Sequence, residues 1–179
     1  MTHPDDTLVD AAVLVPVYRG PDGAVRLVLV RRAEGGVHGG QIAFPGGKRD
    51  ARDASLLDTA LREAREEISI DPASVELLAE LPVVETHSTG FRISPFLGCV
   101  TPPARWQVDA REISEVLDVT AADLARPEVS GEEMRRFPQF PEPLLIRFYR
   151  VGAHKLWGAT HRILAPLLPD LLDGRWRIR

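Results

Sequence analysis

Residues 44–70 read FPGGKRDARDASLLDTALREAREEISI. They join a Pro-Gly-Gly turn to a segment whose apolar spacing predicts a helix over 56–68. On that helix Glu63, Glu66 and Glu67 fall at i, i+3 and i+4, which puts three carboxylates on one face within one turn. Leu57, Leu61, Ala64 and Ile68 form an apolar stripe on the other side. Like charges this close repel one another, and a divalent cation that prefers hard oxygen ligands turns the repulsion into binding. Acidic helix faces are commonly just solvated surfaces. Here the glycine turn, Asp50, Asp53, Asp58 and the glutamate cluster follow in one order over one stretch. That order points to metal-assisted chemistry on phosphates.

Upstream, Val9 to Tyr18 is a β-rich apolar run closed by the turn signal Arg19-Gly20-Pro21-Asp22-Gly23, and Val25 to Val30 alternates as its hairpin partner. Ala33 to Gly40 reads as a glycine-rich loop, and Gln41 to Phe44 as a short strand feeding Pro45-Gly46-Gly47. Asp53 and Ser55 are both suitable caps for the helix, and Asp71-Pro72 ends it. Downstream, Val75 to Glu85, Phe91 to Val100, Glu112 to Val119 and Leu144 to Tyr149 are expected as strands, with a short helical turn at Ala121 to Arg126. Ala159 to Leu172 reads as a final helix that Pro166 should kink or break. Strands mixed with two main helices predict an α/β sandwich with helices covering the sheet.

The chain of 179 residues is long enough for one sizeable core, and residues 1–179 are expected to form a single domain. A net charge of −4 gives no broad attraction for nucleic acid or an anionic membrane, so neither is expected as a partner. Cys99 is alone, which excludes an intramolecular disulfide and a multi-cysteine metal site; its apolar setting reads as core. No 18-residue apolar span occurs, and the opening MTHPDD is unlike a signal peptide, so a cytoplasmic protein is expected. Oligomeric state cannot be read, and a homodimer stays open.

The run from Gly47 through Ile70 resembles the Nudix hydrolase box, G-x5-E-x7-R-E-U-x-E-E-x-G-U with U aliphatic, through Arg62, Glu63, Ala64, Glu66, Glu67 and Ile70. The distance from Gly47 to Arg62 is one residue longer than the general box, Asp50 or Asp53 replaces its first Glu, and Ser69 its late Gly. The coenzyme A pyrophosphatase branch carries the same extra residue. Three further segments are similar to that branch: Arg31-Arg32-Ala33 with His38 and residues 40–50, residues 88–96, and Leu156-Trp157-Gly158-Ala159-Thr160. The loop Glu34-Gly35-Gly36-Val37 is one residue short against it and lacks a basic side chain.

The resemblance implies an α/β/α sandwich with a mixed sheet between helical layers. It also implies hydrolysis of a nucleoside diphosphate linked to another moiety, most specifically coenzyme A or an acyl-coenzyme A, with Mg²⁺ or Mn²⁺. ADP-ribose or another nucleotide as substrate, and a catalytically silent binding module, remain as alternatives. The ligands implied for the metal are Glu63, Glu66, Glu67 and the carbonyl of Gly46, with Arg62 orienting a neighbouring glutamate. Glu112 matches the acid that would serve as general base, with Glu115 and Asp53 behind it. Arg31, Arg32, His38, Lys48 and Arg49 are the candidates for meeting a small-molecule diphosphate substrate. His38 is read equally as a histidine that holds its loop, and Trp157 as a packing residue rather than an adenine platform.

Overall fold

A computed structural model describes residues 8–35, 39–86, 89–138 and 140–179. In chain order the elements are β1 (Val9–Arg19), β2 (Val25–Arg32), β3 (Ile42–Ala43), β4 (Gly46–Lys48), α1 (Leu56–Ile68), β5 (Glu76–Glu80), β6 (Val84–Thr86), β7 (Phe91–Cys99), β8 (Ile113–Thr120), α2 (Ala121–Leu124), β9 (Ser130–Arg135), β10 (Leu144–Val151), β11 (His154–Trp157) and α3 (Gly158–Leu172).

Strand β1 is apolar on both faces, and both faces are covered. Ala12 and Leu14 pack with Val28 and Val30 of β2 against Ala60, Ala64 and Ile68 of α1. Val15 and Val17 pack with Leu27 and Leu29 against Ile163, Leu164, Leu167 and Leu168 of α3. Alternation with period two along each strand thus feeds two cores, one on each side of the sheet. Each fully buried Leu or Ile contributes about 1.5–3 kcal/mol. The sheet has eight strands in the path β3-β2-β1-β7-β5, with β4 also on β1, β6 on β7 and β8 on β2. Its β1–β7 pairing is parallel and its other pairings are antiparallel, so the sheet is mixed and the sandwich is the one expected.

Three local expectations are corrected. The strand predicted from Val75 to Glu85 is two strands, β5 and β6, separated at residues 81–83. Pro82 in that gap has no N–H to give to a ladder. Of the kink or break expected at Pro166, the break does not occur: helix α3 runs through Pro166 and also through Pro169. Both prolines lie on its exposed side, where water can satisfy the carbonyls they leave free. Lastly, β10 is the middle of a separate three-stranded sheet, β11-β10-β9, whose two outer strands the sequence pattern did not show. This small sheet stands beside the β3 edge of the large one. Thr160 Oγ1, in the first turn of α3, donates to the Ile42 carbonyl at 3.4 Å across the junction. A cleft is left between the two sheets.

Candidate active site

The start of α1 explains the geometry at its far end. Ser55 caps the helix: its hydroxyl accepts the Asp58 N–H at 3.1 Å and donates to the Asp58 carboxylate at 2.7 Å. Ser69 closes it in the left-handed conformation, φ 59°, at the place where the resembled box has glycine. A non-glycine residue pays about 1–2 kcal/mol there.

Between these ends the three glutamates part company. Glu67 is 1% exposed, beneath the Gly46 backbone, and its Oε2 accepts the Gly46 N–H at 3.1 Å. Among the described residues its Oε1 has no hydrogen-bond donor; Arg32 Nη1 stands 3.5 Å away. Glu63 is half-buried against Gly47. A Cβ on Gly47 would lie 2.5–2.7 Å from the Glu63 carboxyl group, and one on Gly46 2.3 Å from the Ala12 carbonyl. Gly47 therefore lets the carboxylate reach the backbone, and Gly46 lets β4 close on β1. Glu66 faces solvent, with its side chain 59% exposed.

Arg62 spans this group. It grips Asp53 with two hydrogen bonds, Nε to Oδ1 at 2.9 Å and Nη2 to Oδ2 at 3.0 Å. Its Nη1 reaches Glu63 at 2.8 Å and Glu66 at 3.1 Å, and its Nη2 reaches the Lys48 carbonyl at 3.2 Å. Asp53 also accepts from Thr59 at 2.8 Å, and the Arg62 guanidinium holds its carboxyl far below the usual range. This aspartate is thus bound up in positioning Arg62.

The loop that carries Glu112 is pinned from both sides. The Glu112 carbonyl accepts the Ala33 N–H at 2.7 Å, its N–H donates to the Asp109 carbonyl at 3.0 Å, and the Asp109 N–H donates to the Glu67 carbonyl at 3.1 Å. Glu112 is exposed and lines the cleft with Glu63. Glu115 faces His154 at 4.0 Å instead.

Burial and mutual repulsion load the acidic centre. The Glu67 carboxyl is raised to about 7, first by desolvation and further by Glu63 and Glu112; Arg32 and the Gly46 N–H pull it the other way. Glu63 is raised too, mainly by burial, with Arg62 opposing. Among the described residues no three acidic, histidine or cysteine side chains gather as a finished cation cage. Arg62 draws Glu66 outward, and Arg32 Nη2 takes the Gly46 carbonyl at 3.0 Å. The donor set is nevertheless one that suits a hard divalent cation. It consists of carboxylate and carbonyl oxygens, with a buried Glu67 oxygen lacking a donor and two glutamates reluctant to ionise without added positive charge.

The cleft above this centre measures about 980 Å³. Arg32, Gly46, Lys48, Glu63 and Glu112, all singled out from sequence, line it. Arg31 does not; its Nη2 binds Glu34 at 2.5 Å. Arg49 does not either, and its Nη2 is 3.4 Å from the Asp53 carbonyl. His38 lies outside the described residues. The small sheet and the segment before β10 contribute Phe137, Phe140, Leu144, Ile146 and Trp157 to its lining, of which the sequence reading singled out only Trp157. Trp157 packs, as expected, against Phe137 at 5.8 Å and under Arg135 at 4.6 Å, but it does so on the cleft wall and not in a core. Arg162, in the second turn of α3, also lines the cleft and was missed. Its only sequence signal was a basic residue soon after the Trp157-Gly158 pair.

Comparisons with known proteins agree with this geometry. Residues 8–138 match the family profile described as the NUDIX domain. Proteins of Salmonella paratyphi B and Salmonella typhimurium, described as uncharacterized Nudix hydrolase NudL, are 43% identical over 158 residues, covering 88% of this chain and 74% of theirs. A Nudix hydrolase structure from Nitrosomonas europaea superposes with a TM-score of 0.59 at 14% identity, over 99% of this chain and 78% of that one. The Nudix domain of Shewanella oneidensis NrtR, solved with ADP ribose, gives 0.50 at 21% identity, over 65% and 75%. At these identities the two structures bear on the fold alone.

Proposed function

This chain belongs to the Nudix family, hydrolases of phosphoanhydrides that generally use divalent metal ions, and we propose that its substrate is coenzyme A or an acyl-coenzyme A. The products would be 3′,5′-ADP and 4′-phosphopantetheine or its acyl form. The observation that carries this reading is the mixed lining of the cleft: Arg32, Lys48, Glu63 and Glu112 line it together with Phe137, Phe140, Leu144, Ile146 and Trp157. A diphosphate linked to a long neutral arm matches that mixed lining. The segments around Arg31 to Asp50 and Leu156 to Thr160, similar to the coenzyme A branch, support it from the sequence.

Glu63, Glu66, Glu67 and the Gly46 carbonyl are the residues that would hold Mg²⁺ or Mn²⁺. Such an ion supplies charge neutralisation of the diphosphate and a more acidic attacking water. Arg62 keeps the Glu63 and Glu66 carboxylates aimed, braced by Asp53. Arg32 stands between Gly46 and Glu67 and can shift its donors to a phosphate oxygen. Glu112, exposed on the cleft wall and fixed by its backbone, takes the proton of the attacking water.

The test is kcat/KM for coenzyme A, acyl-coenzyme A, ADP-ribose, dinucleotides and nucleoside triphosphates with Mg²⁺ or Mn²⁺. Coenzyme A or its acyl form should be cleaved best. Faster cleavage of ADP-ribose would remove the coenzyme A assignment and leave the family.

A further inference from the structure

The charge inside the cleft is not evenly spread. Arg32 is engaged at the Gly46 carbonyl and near Glu67. The other two lining cations, Lys48 and Arg162, flank the β6–β7 hairpin. Lys48 Nζ stands 5.4 Å over the Phe91 ring, and Arg162 Nη1 donates to the Glu85 carbonyl at 2.7 Å. Those two hairpin residues are near neighbours, because Thr86 pairs with Phe91 and Glu85 with Arg92. Among the described residues neither Lys48 nor Arg162 forms an ion pair. Glu85, whose carbonyl Arg162 meets, has its carboxylate matched by Arg92 at 3.1 Å, and Asp50, two residues from Lys48, is matched by Arg52 at 2.9 Å. Among the described residues two cations without an ion-pair partner thus line the cleft, together with the aromatic and aliphatic residues Phe137, Phe140, Leu144, Ile146 and Trp157.

We propose that Arg162 and Lys48 hold a phosphomonoester on the nucleotide half of the substrate, separate from the diphosphate that is cut. The inference rests on the coenzyme A reading above. A substrate whose nucleotide carries an additional dianionic group, and whose other arm is neutral, finds a partner in this cleft for each of its parts. The dianion meets the two cations, the diphosphate lies over Gly46 and Glu63, and the neutral arm meets the apolar wall. Arginine suits the dianion because its fork gives two parallel hydrogen bonds, and lysine adds a point charge. The first turn of α3, at Gly158, Ala159 and Thr160, also lines the cleft without a capping side chain, so the positive end of the helix dipole favours an anion nearby.

The experiment is calorimetric titration of the full chain and its variants with 3′,5′-ADP and with 5′-AMP, which differ only in the 3′-phosphate. Wild type should bind 3′,5′-ADP at least ~10-fold more tightly, as expected for one charge-assisted bidentate contact. Arg162→Gln should bring the two ligands to near equality while leaving 5′-AMP unchanged, and Arg162→Lys should restore part of the difference. Lys48→Gln should lose a smaller share. Equal binding of both ligands by wild type overturns the proposal, as does an equal loss for both in Arg162→Gln. Turnover separates this from the reaction assigned above. If coenzyme A is not hydrolysed but the 3′,5′-ADP preference runs through Arg162, the substrate assignment falls and the subsite stands. If coenzyme A is hydrolysed but no better than its dephospho form, the subsite falls and the reaction stands.

Discussion

The two walls of the cleft are built in opposite ways. The charged floor comes from one local unit, the β4 turn and α1, with Arg32 and Glu112 leaning in from β2 and the loop before β8. Its side chains are tied to one another: Arg62 alone meets Asp53, Glu63, Glu66 and the Lys48 carbonyl. The apolar wall comes from a small separate sheet and the segment before β10, and its members are held by packing. Phe140 and Leu144 are 36% and 40% exposed on it. A network of fixed hydrogen bonds sets reaction geometry to within tenths of an ångström, whereas exposed apolar surface rewards whatever covers it in proportion to area. The floor should therefore govern rate, and the wall should govern which substrate profits.

The sharpest break of that division is at the glutamates. Glu66→Gln or Glu67→Gln should lower kcat at least ~10²-fold, about 2.7 kcal/mol in the barrier, with the fold kept. Steady-state kinetics with circular dichroism reads both, and near wild-type turnover in both variants would dismiss the metal-helix assignment. Glu112→Gln should lower kcat with the metal requirement unchanged. A raised Mg²⁺ requirement would make Glu112 a ligand instead of the base.

Next in size is the pH dependence of stability in chelator. The folded protein keeps a proton on Glu67 up to about pH 7, while an unfolded chain releases it in the ordinary carboxylate range. The folded state thus binds more protons between those limits, and its stability falls as pH rises through that window and then levels off. Glu67→Gln has no proton to lose, so at pH 8 without metal it should be more stable than wild type, by on the order of 2 kcal/mol. At pH 4.5 the gain should vanish. Denaturant midpoints at the two pH values decide it, and a gain equal at both would refute the buried-charge account.

The smallest effect belongs to the wall. Phe140→Ser with Leu144→Ser should reduce the preference for a medium-chain acyl-coenzyme A over free coenzyme A by about 5- to 10-fold, since each buried methylene contributes about 0.8 kcal/mol. The metal requirement and the turnover of free coenzyme A should stay near wild type. If both substrates lose activity alike, the wall positions the reacting atoms and the contrast between the two sides collapses.

Legibility in the sequence followed the same division. The glutamate helix, the glycine turn, the apolar run of β1 and the burial of Cys99 were readable because period 3.6, apolar runs and turn residues act over a few neighbours. The inequality of the three glutamates was not, because Glu67 is buried by β4 and β2, which no helical wheel contains. Strand β9, Ser130–Arg135, hides its pattern because its less exposed positions are Gly131, Glu133 and Arg135, with Glu133 paired to Arg135 and Lys155. Arg162 has only a faint local signature, its place soon after Trp157-Gly158; it gains meaning when α3 lies beside β6. Pro166 misled for a related reason, since a proline on the wet side of a helix leaves a carbonyl that water can reach.

The parallel pairing of β1 with β7 also has a consequence for how the chain reaches this state. Val9 stands opposite Phe91, 82 residues further along, and the register continues to Val17 opposite Cys99. β1 can zip at once to β2 across the short turn at residues 20–24, but its other edge waits until β7 has been made. At a synthesis rate of about 5–20 residues per second, that edge stays open for roughly 4–16 s on the ribosome. An apolar strand with a free edge is the segment most ready to pair with a neighbouring nascent chain. The central position that makes β1 the backbone of both cores therefore also leaves it open to mispairing during birth of the protein.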